Sequence, residues 1–225
     1  MQNRPSQRTK IVVVAALALA GLAATLANGQ GSIEESGRNA AKVRKGFAIA
    51  PVPLNLDGKN PNLVGLGSYI VNAQGGCADC HTSSNAETFA GGGNPYFSQP
   101  KKVNPANYLG GGNDFGPFVT LPHLYSRNLT PDKTGLPVAG MSFNDFLNVM
   151  RTGADVDHLH PNCSPKLTTN CLPPPFNGDL LQVMPWPIYQ EMDDYDLLAI
   201  YQYLSAIPCV AGPADKTNPL HNECK

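Results

Sequence analysis

The sequence predicts an all-α domain: a few short helices joined by long loops shaped by glycine and proline. Three observations carry that expectation. Apolar residues recur at helical spacing behind good N-caps in three segments, opening at Asn60, Ser142 and Asp193. The 225 residues include 22 Gly and 21 Pro, enough to break the chain repeatedly between those segments. Apolar residues make up 42% and charged residues only 15%, so the chain can bury enough surface to fold. The formal net charge of -1 provides no global basic field for nucleic acid.

The elements follow in order. Residues 1–10 carry Arg4, Arg8 and Lys10 and no acid, and Ile11 to Ala27 form an apolar run broken only by Gly21 and Thr25. Basic start, apolar middle and small residues at the end read as an export signal over residues 1–27, either cut after Ala27 or retained as an N-terminal anchor. Arg4 and Arg8 are not adjacent, which sets aside a twin-arginine signal. Residues 28–59 are polar, then interrupted by Pro51 and Pro53, and read as a linker or wrapping arm. Asn60-Pro61 opens a helix, because Asn accepts from the free amides and Pro loses nothing at the first turn. Leu63, Leu66, Ile70 and Val71 form its apolar stripe, and Gly75-Gly76 end it.

A glycine-rich region follows from Gly91 to Pro122, with short hairpin strands expected around Phe118-Val119-Thr120. Ser142 caps the second helix, whose stripe is Phe143, Phe146, Leu147 and Met150 and whose terminator is Gly153. A loop from Ala154 to Pro187 leads to the third. There Asp193 is the N-cap, Leu197, Ile200, Tyr201 and Leu204 the buried stripe, and Pro208 the stop. Residues 60–225 are therefore expected to form the main domain.

The chemistry begins at Gly76-Cys77-Ala78-Asp79-Cys80-His81-Thr82. Cys-x-x-Cys-His is the attachment signature of a c-type haem. Side chains three apart on one helical turn share a face, so two sulfurs reach the two vinyl groups along one porphyrin edge. The following imidazole then lies beneath the iron as proximal ligand. Gly75-Gly76 lets the backbone approach a flat macrocycle. A thioredoxin-like pair would need a parallel-sheet pattern that is not visible, and a zinc site would need further ligands, for which His158 and His160 are the candidates. One motif implies one haem.

The other four cysteines, Cys163, Cys171, Cys209 and Cys224, allow three pairings. Cys163–Cys171 and Cys209–Cys224 are preferred because each closes a short loop without helix signals. The crossed pairings remain open.

The sixth iron position decides between functions. The sulfur candidates are Met141, Met150, Met184 and Met192; the imidazole candidates are His123, His158, His160 and His221. Met150 lies on a helical stripe as core, and Met141 and Met192 precede helix caps as apolar staples. Met184 stands in Gln182-Val183-Met184-Pro185-Trp186-Pro187, a proline-framed loop that presents a thioether with little backbone competition. It is the favoured ligand, with Trp186 placed to pack at the haem edge or in the core.

These residues resemble the monohaem class I c-type cytochromes of bacterial exported electron-transfer chains, in particular the cytochrome c modules associated with periplasmic alcohol and sugar dehydrogenases. Four segments carry the resemblance. They are Gly67-Ser68-Tyr69-Ile70-Val71 through the haem motif, Ser126-Arg127-Asn128-Leu129-Thr130-Pro131-Asp132, Phe146 through Gly153, and Met184-Pro185-Trp186-Pro187 leading to Leu197 through Leu204. The resemblance implies Cys77 and Cys80 as thioether anchors, His81 as proximal and Met184 as distal ligand, and a class I cytochrome c wrap around the haem. It also implies a haem-proximal role for the Arg127 segment, where Arg127 would pair with a propionate and Asn128 donate to it. The long glycine-rich insert and the four extra cysteines depart from the family pattern.

The expected function is electron transfer between a periplasmic dehydrogenase or respiratory complex and an acceptor such as a terminal oxidase. The protein would be a carrier rather than an enzyme, touching the membrane only through a retained N-terminal segment. The alternative is a peroxidase-like haem enzyme with an open distal site; a third is a module whose haem gates partner binding.

Overall fold

A computed structural model describes residues 37–83, 85–116, 124–155, 177, 179–214 and 221–225. The chain divides into two compact units, residues 1–41 and 42–225. Of the first, residues 37–41 are described and are helical. The export segment at 1–27, the hairpin expected near 118–120, His123, His158, His160, Cys163 and Cys171 lie outside the described residues.

The second unit opens on helical residues 42–49 (α1), where the sequence suggested a polar arm. Val43 packs against the core, and a Cβ at Gly46 would lie 1.8 Å from the Gly65 carbonyl oxygen, so two glycines let α1 press directly onto the next helix. That next helix is α2 (Pro61–Tyr69). It starts as the sequence predicts, with the Asn60 side chain accepting from the Asn62 amide at 3.0 Å.

At Ile70 the α2 ladder widens into a π-helical turn, Ile70–Gln74, closed by the Gly75 amide donating to the Ile70 carbonyl at 2.7 Å. Such turns concentrate at functional sites, and this one hands the chain to α3 (Cys77–Cys80). After α4 (Asn85–Thr88) and a 3₁₀ turn (Pro95–Phe97) come α5 (Pro137–Gly140), α6 (Phe143–Thr152), α7 (Trp186–Tyr189) and α8 (Asp194–Leu204). Within α5, Val138 and Ala139 are left-handed, so it is a turn rather than a regular helix. Among the described residues the only β pairing is three isolated antiparallel bridges, Phe89 with Val103, Asp114 with Tyr125 and Ala154 with Leu180. The described fold is all-α with long loops. No described helix is long and apolar enough to cross a membrane.

The core lies where α2 crosses α8. A Cβ at Gly67 would sit 1.9 Å from the Ala199 carbonyl oxygen, so only glycine permits that crossing. Leu63, Leu66 and Ile70 from one side meet Leu197, Ile200 and Leu204 from the other, all buried, each contributing roughly 1.5–3 kcal/mol. Phe146 and Met150 of α6 close the cluster.

A buried polar chain threads this crossing. The Tyr108 hydroxyl donates to Asn72 Oδ1 at 2.6 Å and lies 2.8 Å from the Tyr203 hydroxyl. Asn72 Nδ2 donates to Tyr203 and to the Ser68 carbonyl, and Ser68 Oγ donates to the Gly46 carbonyl at 2.8 Å. With its partners supplied by Ser68, Tyr108 and Tyr203, Asn72 fixes the π turn against α8 without leaving its amide unsatisfied.

The C-terminal tail is anchored by a Cys209–Cys224 disulfide, one of the two preferred pairings. Next to it Asn222 is buried and donates to the Pro131 carbonyl at 3.1 Å and to Thr130 Oγ1 at 3.2 Å.

Candidate haem-binding site

The site is built from the end of α2 outward. Gly76 adopts φ +58°, a left-handed conformation that turns the chain from the π turn into α3. A Cβ at Gly75 would stand 3.2 Å from Cys77 Sγ, so glycine leaves that sulfur room. Cys77 and Cys80 carry no disulfide and occupy one helical turn. Burial pushes the Cys77 thiol up to about 11, with the Cys80 and Asp79 charges adding to it; burial and Asp79 raise Cys80 as well. A redox-active thiol pair needs the opposite, a depressed value that exposes a thiolate nucleophile.

His81 follows at the end of α3. Its Nδ1 lies 2.8 Å from the Arg127 carbonyl oxygen. A carbonyl only accepts, so Nδ1 carries the proton and Nε2 keeps its lone pair. Burial lowers the imidazole's affinity for a second proton, and the neutral ring is the form that ligates a metal. Gly111 supports the same residue, donating to the His81 carbonyl at 2.9 Å.

Cys77, Cys80 and His81 all open onto a cavity of about 710 Å³. Its size lies in the range of cofactor pockets. Ile70, Phe146, Leu181, Ile200 and Leu204 supply apolar wall, and Met150, Met184 and Met192 bring three thioethers to it. Met141 does not line it; that residue is buried elsewhere, and its carbonyl accepts from the Tyr201 hydroxyl. His221 does not line it either, and its Nδ1 donates to the Pro213 carbonyl at 2.7 Å. Two thiols on one turn, a neutral imidazole with a bare Nε2, apolar walls and soft sulfur on the same cavity suit a haem c. Among the described residues no group of three or more His, Cys, Asp or Glu is placed to hold a metal ion; His158 and His160, the candidate zinc ligands, lie outside those residues.

The loop bearing Met184 is tied to the end of α6. Gly153 caps α6 at φ +72°, its carbonyl accepts from Leu181, and the Asp155 amide donates to the Asp179 carbonyl at 2.9 Å. Trp186 is not among the cavity-lining residues; it donates Nε1 to the Leu181 carbonyl at 3.0 Å. A Cβ at Gly153 would come within 2.2 Å of its ring, so the glycine is also a seat for the indole.

The Arg127 segment meets the site chiefly through its backbone. Arg127 lines the cavity, its carbonyl accepts a hydrogen bond from His81 Nδ1, and its guanidinium pairs with Asp155. Asn128 is buried and does not line the cavity. Its amide donates to the Val210 carbonyl at 2.7 Å, and its oxygen accepts from the Thr130 amide and hydroxyl. Asp155, Gly111 and the seat at Gly153 escaped sequence reading. The glycine triplet at 110–112 was the available signal for Gly111.

No family model matches the chain, and no solved structure matches it. Over 148 residues, 65% of this chain, it is 29% identical to the gluconate 2-dehydrogenase cytochrome c subunit of Pantoea cypripedii. The match covers 24% of that relative's length. The chain is thus similar to a dehydrogenase cytochrome c subunit across about a quarter of it.

Proposed function

We propose that this chain is an exported electron-transfer protein holding one haem c, with Cys77 and Cys80 as covalent anchors and His81 and Met184 as axial ligands. The observation that carries the reading is the His81 imidazole, fixed by the Arg127 carbonyl with Nε2 bare, beside two thiols on the wall of one cavity. The group bound there supplies a one-electron ferrous/ferric couple whose potential a methionine ligand raises. The chain's own residues hold both ligands still, which keeps reorganisation on electron gain or loss small. Apolar walls exclude water.

Tyr125, Val183 and Ile188 are exposed and border the cavity, forming the lip at which a redox partner approaches. Such encounters are small and transient. The likeness to a gluconate 2-dehydrogenase cytochrome c subunit supports a dehydrogenase as the partner, which this reading takes to be a periplasmic one. A ferric optical spectrum of the exported protein tests the ligand set. A weak band at the red edge supports sulfur–iron ligation, and a high-spin spectrum favours the peroxidase-like alternative.

A further inference from the structure

We infer that the Arg127–Asp155 ion pair is a clamp that sets the separation between the His81 side of the cavity and the Met184 loop, making both residues positioning residues for the axial pair. The inference rests on the reading of His81 and Met184 as ligands and deepens it.

Arg127 is bonded in two directions. Its carbonyl oxygen accepts from His81 Nδ1 at 2.8 Å, and its guanidinium pairs with the Asp155 carboxylate. Asp155 in turn belongs to the short ladder that leads to the Met184 loop and lines the same cavity. Its amide donates to the Asp179 carbonyl at 2.9 Å, Ala154 bridges to Leu180, and Leu181 donates to the Gly153 carbonyl at 2.7 Å. Trp186 locks onto the Leu181 carbonyl, and Met184 stands between these two residues. One continuous run of bonds therefore leads from the proximal imidazole through Arg127 and Asp155 to the loop of Met184.

The pair is sheltered. Its side chains are 17% and 2% exposed, and both residues line the cavity. A buried ion pair is a poor source of stability, since desolvation offsets much of its attraction, and its best-attested use is to fix one arrangement. Here the arrangement fixed is the gap that a planar macrocycle with two axial ligands must fill. Outer partners of this kind commonly change metal affinity or activity by 10–100-fold.

The test compares Asp155→Asn, Arg127→Gln and Met184→Ala with the parent holoprotein. Four readouts are taken: the red-edge band, the reduction potential, the affinity of the ferric protein for imidazole, and amide exchange at Leu181. The clamp predicts that Asp155→Asn weakens the band, lowers the potential, tightens imidazole binding about tenfold or more and speeds exchange at Leu181. Asp155→Glu should restore part of each. If Asp155→Asn does not accumulate, Arg127→Gln is judged by the same readouts, since it keeps the carbonyl that holds His81. Band, potential and imidazole affinity equal to the parent in a folded variant overturn the clamp. Should those three readouts move in Met184→Ala but in neither pair variant, the clamp alone fails. Should Met184→Ala leave them unmoved, the ligand reading fails and takes the clamp with it.

Discussion

His81 and Arg127 are joined by a 2.8 Å hydrogen bond from the imidazole Nδ1 to the backbone carbonyl, although they lie 46 residues apart in the chain. Gly111 lies between them, donating to the His81 carbonyl and pressed against the Arg127 backbone. It adopts φ +72°, and a Cβ there would fall 2.5 Å from both the Arg127 carbonyl carbon and the Asn128 nitrogen. Gly111→Ala should therefore push the Arg127 backbone off His81. We expect a loss of about 1–3 kcal/mol from the left-handed conformation alone, with the clash adding to it. Denaturant unfolding measures the loss, and unchanged stability would refute the close approach.

Met184→Ala should lower the reduction potential and open the iron to small ligands, because it removes the soft sulfur that favours the ferrous state. The expected fall is a fraction of the roughly 0.8 V that axial ligands command. Protein-film voltammetry reads it directly. An unchanged potential would move the assignment to Met150 or Met192, which line the same cavity.

The tyrosine pair behind the haem motif makes stability depend on alkaline pH. Burial pushes the Tyr108 phenol well up, with the Tyr203 charge and hydrogen bond adding; burial raises Tyr203 despite the opposing bonds from Tyr108, Asn72 and Ser68. In the unfolded chain both release protons near pH ~10. The folded form retains them there, so the contribution is whole below that pH and fades as pH rises through the raised folded values. Thermal midpoints should fall above about pH 10. Tyr203→Phe should cost about 1–3 kcal/mol at neutral pH, since Asn72 and Tyr108 each lose a buried partner.

The three capped helices were legible because their signals are local. Asn60, Ser142 and Asp193 each accept a backbone amide at the start of a helix, and Gly153 takes the left-handed C-cap conformation. Local signals say nothing of what a side chain meets across the fold. The sequence offers Trp186 a place at the haem edge or in the core and Asn128 a place near a propionate, but no local signal announces their bonds to the Leu181 and Val210 carbonyls. Residues 42–49 belong to a stretch that reads as a polar arm, since Lys42, Arg44 and Lys45 interrupt its apolar residues, and the docking of α1 depends instead on Gly46 meeting Gly65. The π turn at Ile70–Gln74 leaves no composition signature, and the bonds that Asn72 makes within it reach Tyr108 and Tyr203, far away in sequence.

The tail offers a separate test. Cys209 and Cys224 close a loop of 15 residues beside Thr130, which also receives the buried Asn222 amide. Cys209→Ser with Cys224→Ser should lower stability by about 3 kcal/mol, the loop-closure value for that length. Non-reducing peptide mapping should recover Cys209 with Cys224, and a different partner for either would contradict the fold of the tail.

The most direct measurement is the intact mass of the purified protein, followed by mapping of the peptide that spans residues 77–81. One covalently attached haem should be found on that peptide, and it should be lost in Cys77→Ser with Cys80→Ser. A colourless parent protein with the mass of the bare polypeptide would contradict the account.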